Sequence, residues 1–412
     1  MDRPTTMMET DNPDHTQLSG LNVVTLTPGC GYGDAACQYI AGLHRLGVPV
    51  TWTPTISGRA NNRSREKLRL LLQADIAEDL MNLLWRPLDC SAMLIDIPPF
   101  HWQQHWREKE PDLRPFTYIT WEVEQIPQDW IPVLNSYERI FVPSTFNQRT
   151  LTAAGITAQV DVVPHVARKT SSSSVTTTYG DVNDEDFVFY TIGSWTSRKA
   201  MQDTVRAYLD AFTKDDKVAF IIKTDHIDQI AHWALPEAQR RNAPPDSVMV
   251  WWTLARILAS YPNPAKIQLI SKRIPAVDVD NLHRRGDCFV SLTRSEGWGL
   301  GPFDAALHGN PAIITGWGGH LDYLGEDFPF LLRYEMEPVS KTPADGFFDH
   351  VENAFWARAD PRHAAETMRA AYENRDQTIA LGRNLQHRLS ETYAADKMCR
   401  RLASLMGFSE AS

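Results

Sequence analysis

Two carboxylates and two cations carry the chemistry that is most legible in this sequence. Glu296 and Asp304 are separated by seven residues in SEGWGLGPFDAALHGNPAIITGWGGH (295–320), with Gly297, Gly299 and Gly301 between them. Arg198 and Lys199 stand in GSWTSRKA (193–200). A backbone almost bare of side chains, aimed at a helix start, presents N–H groups to an anion. That alone favours the anion by about 0.3–1 kcal/mol, and by about 2 when partly buried. One cation about 4 Å away adds on the order of 4 kcal/mol at an effective dielectric near 20, before desolvation. Carboxylates beside an anion need another task, and hydrogen bonding to sugar hydroxyls is one. The set suits a phosphate-linked sugar. Plainer readings stand beside it: Glu296 as a solvated loop acid, Asp304 as a first-turn acid favoured by the helix dipole, and residues 198–199 as a solvated basic pair. Lys223, which ends the apolar run in IIKT, is a third cation that reads equally as a surface lysine.

The elements that must position these residues alternate between buried strands and helices. Pro302 fits a first helical position, Gly309 fits the residue past the end, and Asn310-Pro311 stops continuation, so a short helix starts at Gly301-Pro302. The chain opens with a polar tail (1–20). LNVVTLTP (21–28), the glycine turn GCGYGD (29–34), the helical AACQYIAGLHRLG (35–47) and VPVTWTP (48–54) make a βαβ unit. Gly29, Gly31 and Gly33 lie at the carboxyl end of its first strand, where such sheets bind ligands, although a purely structural turn fits as well. A charged stretch (59–69), a helix over 67–85, strands at 92–98, 139–144 and 159–165 and the segment FTYITWEVEQIPQDW (116–130) give roughly six strands, a first domain over 21–165. The Ser/Thr-rich 166–185 cannot build a core and reads as a linker.

The pattern then restarts over 186–380, with strands at 187–192, 218–224, 266–271, 287–293 and 312–315 and an edge strand within 328–335. Helices are expected near 347–357, over 362–374 and as one long element within 375–406. Residues 381–412 form a C-terminal helix able to pack back on the first domain. Two α/β domains with doubly wound sheets facing across a cleft is the architecture implied.

Composition limits the function classes. The 412 residues suffice for two cores, and 43% hydrophobic with 22% charged residues is globular. A net charge of −10 disfavours a duplex nucleic-acid binder while leaving room for a local basic patch. Five scattered cysteines without CxxC or Cys/His spacing read as reduced thiols in a cytoplasmic protein without a bound metal. No signal peptide or membrane span is legible, and peripheral membrane contact stays open.

The run 295–320 resembles the donor-site signature of family 4 glycosyltransferases, which have the GT-B fold and retain anomeric configuration. That signature has two acids separated by seven residues, with a glycine-rich turn between them, and an "EA…G.P" tail. The resemblance implies that Glu296 contacts donor-sugar hydroxyls, with Gly297, Trp298, Gly299 and Leu300 lining the donor, and that Asp304 holds the nucleotide ribose where relatives usually carry Glu. GSWTSRKA is similar to the family's "G…RKG" segment, so Gly193, Ser194 and Lys199 fall at the diphosphate. Arg198 substitutes for the arginine that Ser194 replaces, and Ala200 stands where glycine is usual. ITWEVEQIP, IFVPSTFNQRTLTAAGI and VDVVPH are similar to the family's domain-closing segments. The implied reaction transfers a hexose from a UDP- or GDP-sugar to an acceptor hydroxyl on a glycan, lipid or other compound. It needs no cofactor or metal, because the leaving diphosphate takes the acceptor proton and protein cations stabilise it. Candidates on the acceptor side are Gly31, Gly33, His101 and Glu122, each equally an ordinary loop residue. Trp102, Trp106, Trp121 and Trp130 fit core packing better than sugar stacking. A GT-B epimerase or phosphorylase, a catalytically lapsed nucleotide-sugar binder and, less favoured, a DNA-modifying glycosyltransferase are the alternatives.

Overall fold

Strands with apolar residues on both faces build the molecule, as expected for parallel sheets covered by helices on either side. A computed structural model describes residues 18–55, 69, 72, 77–99, 101–168, 178–242, 249–339, 348 and 351–408. Most of the expected tail, of the charged stretch 59–69 and of the Ser/Thr run, and much of the helix expected over 67–85, lie outside the described residues.

The first unit runs β1 (Leu21–Leu26), α1 (Gly31–Arg45), β2 (Val50–Thr55), α2 (Glu78–Met81), β3 (Ala92–Asp96), α3 (His101–Lys109), β4 (Arg114–Tyr118), α4 (Trp130–Leu134), β5 (Arg139–Val142), α5 (Thr145–Ala153) and β6 (Gln159–Val162). Its six strands are ordered β2-β1-β3-β4-β5-β6, and every pairing is parallel. The second unit continues with β7 (Phe187–Ile192), α6 (Met201–Ala211), β8 (Val218–Lys223), α7 (Gln229–Ala234), α8 (Glu237–Asn242), α9 (Val250–Leu258), β9 (Lys266–Ile270), α10 (Ala276–Arg285), β10 (Cys288–Ser291), α11 (Leu300–Leu307), β11 (Ala312–Thr315), α12 (Leu321–Leu324) and β12 (Leu331–Leu332). Its sheet is also six-stranded and parallel, in the order β12-β11-β10-β7-β8-β9. The chain closes with β13 (Tyr334–Pro338), β14 (Phe355–Ala359), α13 (Pro361–Glu373), α14 (Arg375–Thr392) and α15 (Ala395–Met406).

Several local expectations need correction. The stretch 29–34 is not all turn: α1 starts at Gly31, so Gly31 and Gly33 are helical and only Gly29 has a left-handed φ, of 94°. Gly33 is needed for a different reason, since a Cβ there would lie 2.3 Å from the Thr27 carbonyl oxygen. No helix occupies 355–359. Those residues form β14, antiparallel to β13, with Trp356 and Ala357 buried. The single edge strand expected within 328–335 is divided between β12, which joins the sheet beside β11, and the start of β13. The long terminal helix breaks at Tyr393-Ala394, where the inter-unit crossing passes and the Ala167 N–H donates to the Tyr393 carbonyl at 2.8 Å. Beyond that break α15 turns onto the first unit, and Cys399, Leu402 and Met406 pack in the same core as Ile40 and Leu43.

Candidate functional site

In each sheet the strand order reverses beside the first strand: between β1 and β3, and between β7 and β10. Parallel sheets bind ligands in the crevice at the carboxyl ends of such strands. The loop after β7 carries Gly193 to Ala200, and the loop after β10 carries Glu296. The topology therefore brings the two sequence segments together.

Lys199 Nζ lies 2.5 Å from Glu296 Oε1, and Arg198 Nη1 lies 3.4 Å from Oε2. Arg198 Nη1 also donates to the Ser295 carbonyl at 2.7 Å. Its Nη2 reaches across the cleft to Glu122 Oε1 at 3.6 Å. The Glu296 side chain is only 8% exposed. Burial alone would push its carboxyl up, but Lys199 and Arg198 outweigh burial and hold it at about 2. Burial draws the Lys199 ammonium down from its ordinary value. Burial likewise raises the Glu122 carboxyl, against the opposing charge of Arg198.

The loop holding both cations is braced from behind. The Arg294 N–H donates to the Arg198 carbonyl at 2.7 Å, and the Arg294 side chain pairs with Asp203 and Glu337. Ala200 adopts a left-handed φ of 48°. That conformation costs a residue with a Cβ roughly 1–2 kcal/mol, which explains why glycine suits the position. A Cβ at Gly193 would press on Met201 Cε at 3.1 Å and stand in ordinary contact with Lys199 Cδ at 3.7 Å.

The glycine turn sits under the first unit. Ser144 Oγ donates to the Gly297 carbonyl at 2.7 Å, and Thr145 donates through N and Oγ1 to Asp322 at 2.7 and 2.6 Å. A Cβ on Gly297 would lie 2.6 Å from the Trp121 carbonyl oxygen. Gly299, with φ 84°, is the N-cap of α11, two residues earlier than the Gly301 cap that Pro302 at the first helical position implies. Leu300 faces Gly31 across the cleft, with its Cδ1 3.5 Å from where a Gly31 Cβ would stand. Trp298 needs correction as a donor-lining side chain. It is fully buried among Phe303, Tyr323, Tyr393 and His165, so only its backbone borders the turn.

Lys223 borders the loop that carries the cluster, its carbonyl accepting from the Gly193 N–H at 3.1 Å. Lys223 ends β8 and bonds the Thr224 carbonyl at 3.3 Å; burial lowers its pKa. Ser194 is exposed at the loop's edge. His101 opens α3, and its side chain lies outside the described residues. Trp121 and Trp130 pack edge to face at 4.7 Å in the first core, and Trp106 packs against that core.

Asp304 does not face open solvent. Its Oδ1 accepts from Arg168 Nε at 3.2 Å, and its Oδ2 pairs with Arg168 Nη2. Sequence reasoning missed Arg168, which it placed in a featureless linker. It also missed Asp96, a buried acid ending β3 at the first sheet's reversal point, whose pKa burial raises well above its ordinary value. The one signal for Asp96 was an acid inside the apolar run AMLIDIP. Among the described residues, no group of three or more His, Cys, Asp and Glu could hold a metal ion.

Two parallel six-stranded sheets with facing reversal points define the GT-B fold. The chain is similar over 94% of its length to the Anabaena protein HepE solved with UDP and glucose, covering 99% of that chain at a TM-score of 0.63 and 11% identity. It is similar at 0.63 and 12% to a glycosyltransferase from Rickettsia africae, covering 94% of this chain and 97% of that one. A sucrose-phosphate synthase from Thermosynechococcus elongatus gives 0.62 and 12%, with 94% and 98% covered. No protein-family model matches the chain. No curated protein matches it either. Among the described residues, no helix is long and apolar enough to cross a membrane.

Proposed function

We propose that this protein is a retaining, metal-independent glycosyltransferase that moves a hexose from a UDP- or GDP-sugar to an acceptor hydroxyl. The observation that carries the reading is the Lys199–Glu296–Arg198 cluster at the second sheet's reversal point. In a parallel sheet that is where a nucleotide binds, and the cluster there offers two cations and one ionised carboxylate. HepE, which shares the fold, was solved in complex with UDP-glucose.

In this reading Lys199 and Arg198 hold the diphosphate and stabilise the charge that grows on it as the glycosidic bond breaks. Removing one such preorganised donor costs about 10²–10³ in rate in comparable sites. Glu296, freed from part of its pairing, accepts hydrogen bonds from the sugar hydroxyls. The departing diphosphate takes the acceptor proton on the same face of the sugar. Glu122 reaches Arg198 from the first unit and so marks the acceptor wall. The acceptor is a glycan, lipid or other hydroxyl compound, and the working compartment is the cytoplasm.

The test is incubation with a panel of UDP- and GDP-sugars while nucleotide release is followed. Turnover with at least one donor, abolished by Lys199→Ala and by Glu296→Ala, is expected. Folded protein that turns over none of them overturns the proposal. Binding that survives in both variants without any wild-type turnover marks a lapsed nucleotide-sugar binder instead.

A further inference from the structure

Asp96 is the last residue of β3, and its partner in the ladder is Thr25 of β1. These two strands flank the reversal point of the first sheet, so Asp96 stands where a parallel sheet meets its ligand. It shares a face with Leu94, which packs with Ile40 and Leu43 of α1. Asp96 is only 5% exposed. Thr25 is already committed, donating to the Leu26 carbonyl at 2.9 Å and accepting from Trp52 Nε1 at 2.9 Å. Among the described residues no hydrogen bond or ion pair reaches the Asp96 carboxyl, and burial alone raises its pKa. A buried acid without a partner weakens the fold. The position calls for a partner from outside the chain.

The surrounding charges narrow what that partner is. Asp96, Glu122 and Arg198 all bear on the Tyr32 hydroxyl, which donates to the Thr120 carbonyl. Thr120 lies against the donor-side turn, where a Cβ on Gly297 would stand 2.7 Å from its Cγ2. Asp96 is thus one tyrosine away from the cleft. Asp34, the third acid at this end of α1, is already answered. It accepts from the Gly29 N–H at 2.9 Å, Arg168 interacts with it, and Arg273 Nη2 of the second unit stands 3.0 Å from where a Gly29 Cβ would lie. Glu122 has Arg198 at 3.6 Å, but a donor diphosphate competes for that cation. With a donor in place, Asp96 and Glu122 remain as two acids on the first unit's side of the cleft. No cation of the first unit bears on either.

We propose that the acceptor carries a protonated amino group, seated between Asp96 and Glu122, beside the hydroxyl that receives the sugar. This rests on the glycosyl-transfer reading above and names the substrate class for it. The ammonium recognises and orients; the hydroxyl remains the nucleophile. Its N–H groups serve the partnerless carboxyl, and its charge complements two acids that lose Arg198 to the donor. A phosphate-bearing acceptor would be repelled by the same acids, so Asp96 selects against it as well.

The test is transfer from a panel of UDP- and GDP-sugars to amino sugars and aminocyclitols, each run beside its N-acetyl form and its hydroxyl counterpart. Nucleotide release above the acceptor-free rate gives kcat/KM. At least one free amine is expected to exceed both of its counterparts about tenfold or more, the range for one hydrogen bond to a charged group. Asp96→Asn should abolish that preference, chiefly through a higher KM for the amine. The same variant should melt no lower than wild type, because the acid has no partner within the fold. Three results overturn the inference: no amine in the panel outperforming its counterparts, a preference that survives in Asp96→Asn, or a variant melting well below wild type, which marks a structural acid. Wild-type protein that binds neither UDP nor GDP in calorimetry fails the donor-site reading itself. Nucleotide binding without any amine preference fails this inference alone.

Discussion

Replacing Glu296 by Gln separates the electrostatics of this site from mere packing, because its effects on stability and on ligand affinity have opposite signs. The carboxyl is held at about 2 against an ordinary 4.5. That difference corresponds to on the order of 3 kcal/mol favouring the ionised form in the folded protein. Gln keeps the shape and loses the charge, while Arg198 still faces Glu122. We expect stability at neutral pH to fall by about 3 kcal/mol, a melting shift on the order of 5 °C for a chain of this size. A carboxylate about 5 Å from a diphosphate charge repels it by roughly 3 kcal/mol at an effective dielectric near 20. Removing it should therefore tighten UDP or GDP about tenfold or more, even as sugar transfer is lost. Thermal melting read beside calorimetry of the free nucleotide measures both. A variant as stable as wild type that binds nucleotide no more tightly refutes the reasoning.

Two further perturbations probe the frame around the site. Gly297→Ala places a Cβ 2.6 Å from the Trp121 carbonyl oxygen and 2.7 Å from Thr120 Cγ2. It should cost about 1–3 kcal/mol and enlarge the radius of gyration in solution scattering as the units part; an unchanged radius and melt would contradict the closed contact. Acid should destabilise the protein in two stages. Buried His165 is held down to about 3 and His308 to about 4, both chiefly by burial, so the folded state resists protons that the unfolded chain accepts. Their contribution is complete above about pH 6.5 and is lost as pH falls through those values, whereas that of Glu296 is complete above about 4.5 and is lost toward 2. Urea midpoints falling already from pH 6.5 to 5 would bear this out, and a flat profile there would not.

The sheets were legible because apolar runs such as FVFYTI and AIIT sit between glycine and proline punctuation. The Lys199–Glu296–Arg198 cluster was legible because its members lie in two short segments with distinctive spacing. What escaped notice depended on long-range contacts. β14 pairs with β13, whose nearest partner residue lies 17 positions away (Pro338 against Phe355), a contribution no local period reveals. The break at Tyr393-Ala394 exists because Ala167 crosses there. Arg168 looked like linker because its partner, Asp304, is 136 residues away. Trp298 looked like a ligand contact because its flanking glycines carry the turn, while its indole is turned into the second core.

A nucleotide-sugar donor site at the β7–β10 reversal point, as proposed, would be built on Lys199 and Glu296. Calorimetric titration of the wild type and Lys199→Ala with UDP, GDP and their glucose conjugates tests it most directly. Saturable binding of at least one nucleotide by the wild type, weakened tenfold or more by Lys199→Ala, is expected. Absence of binding by folded wild type, or equal affinity in the variant, would contradict it.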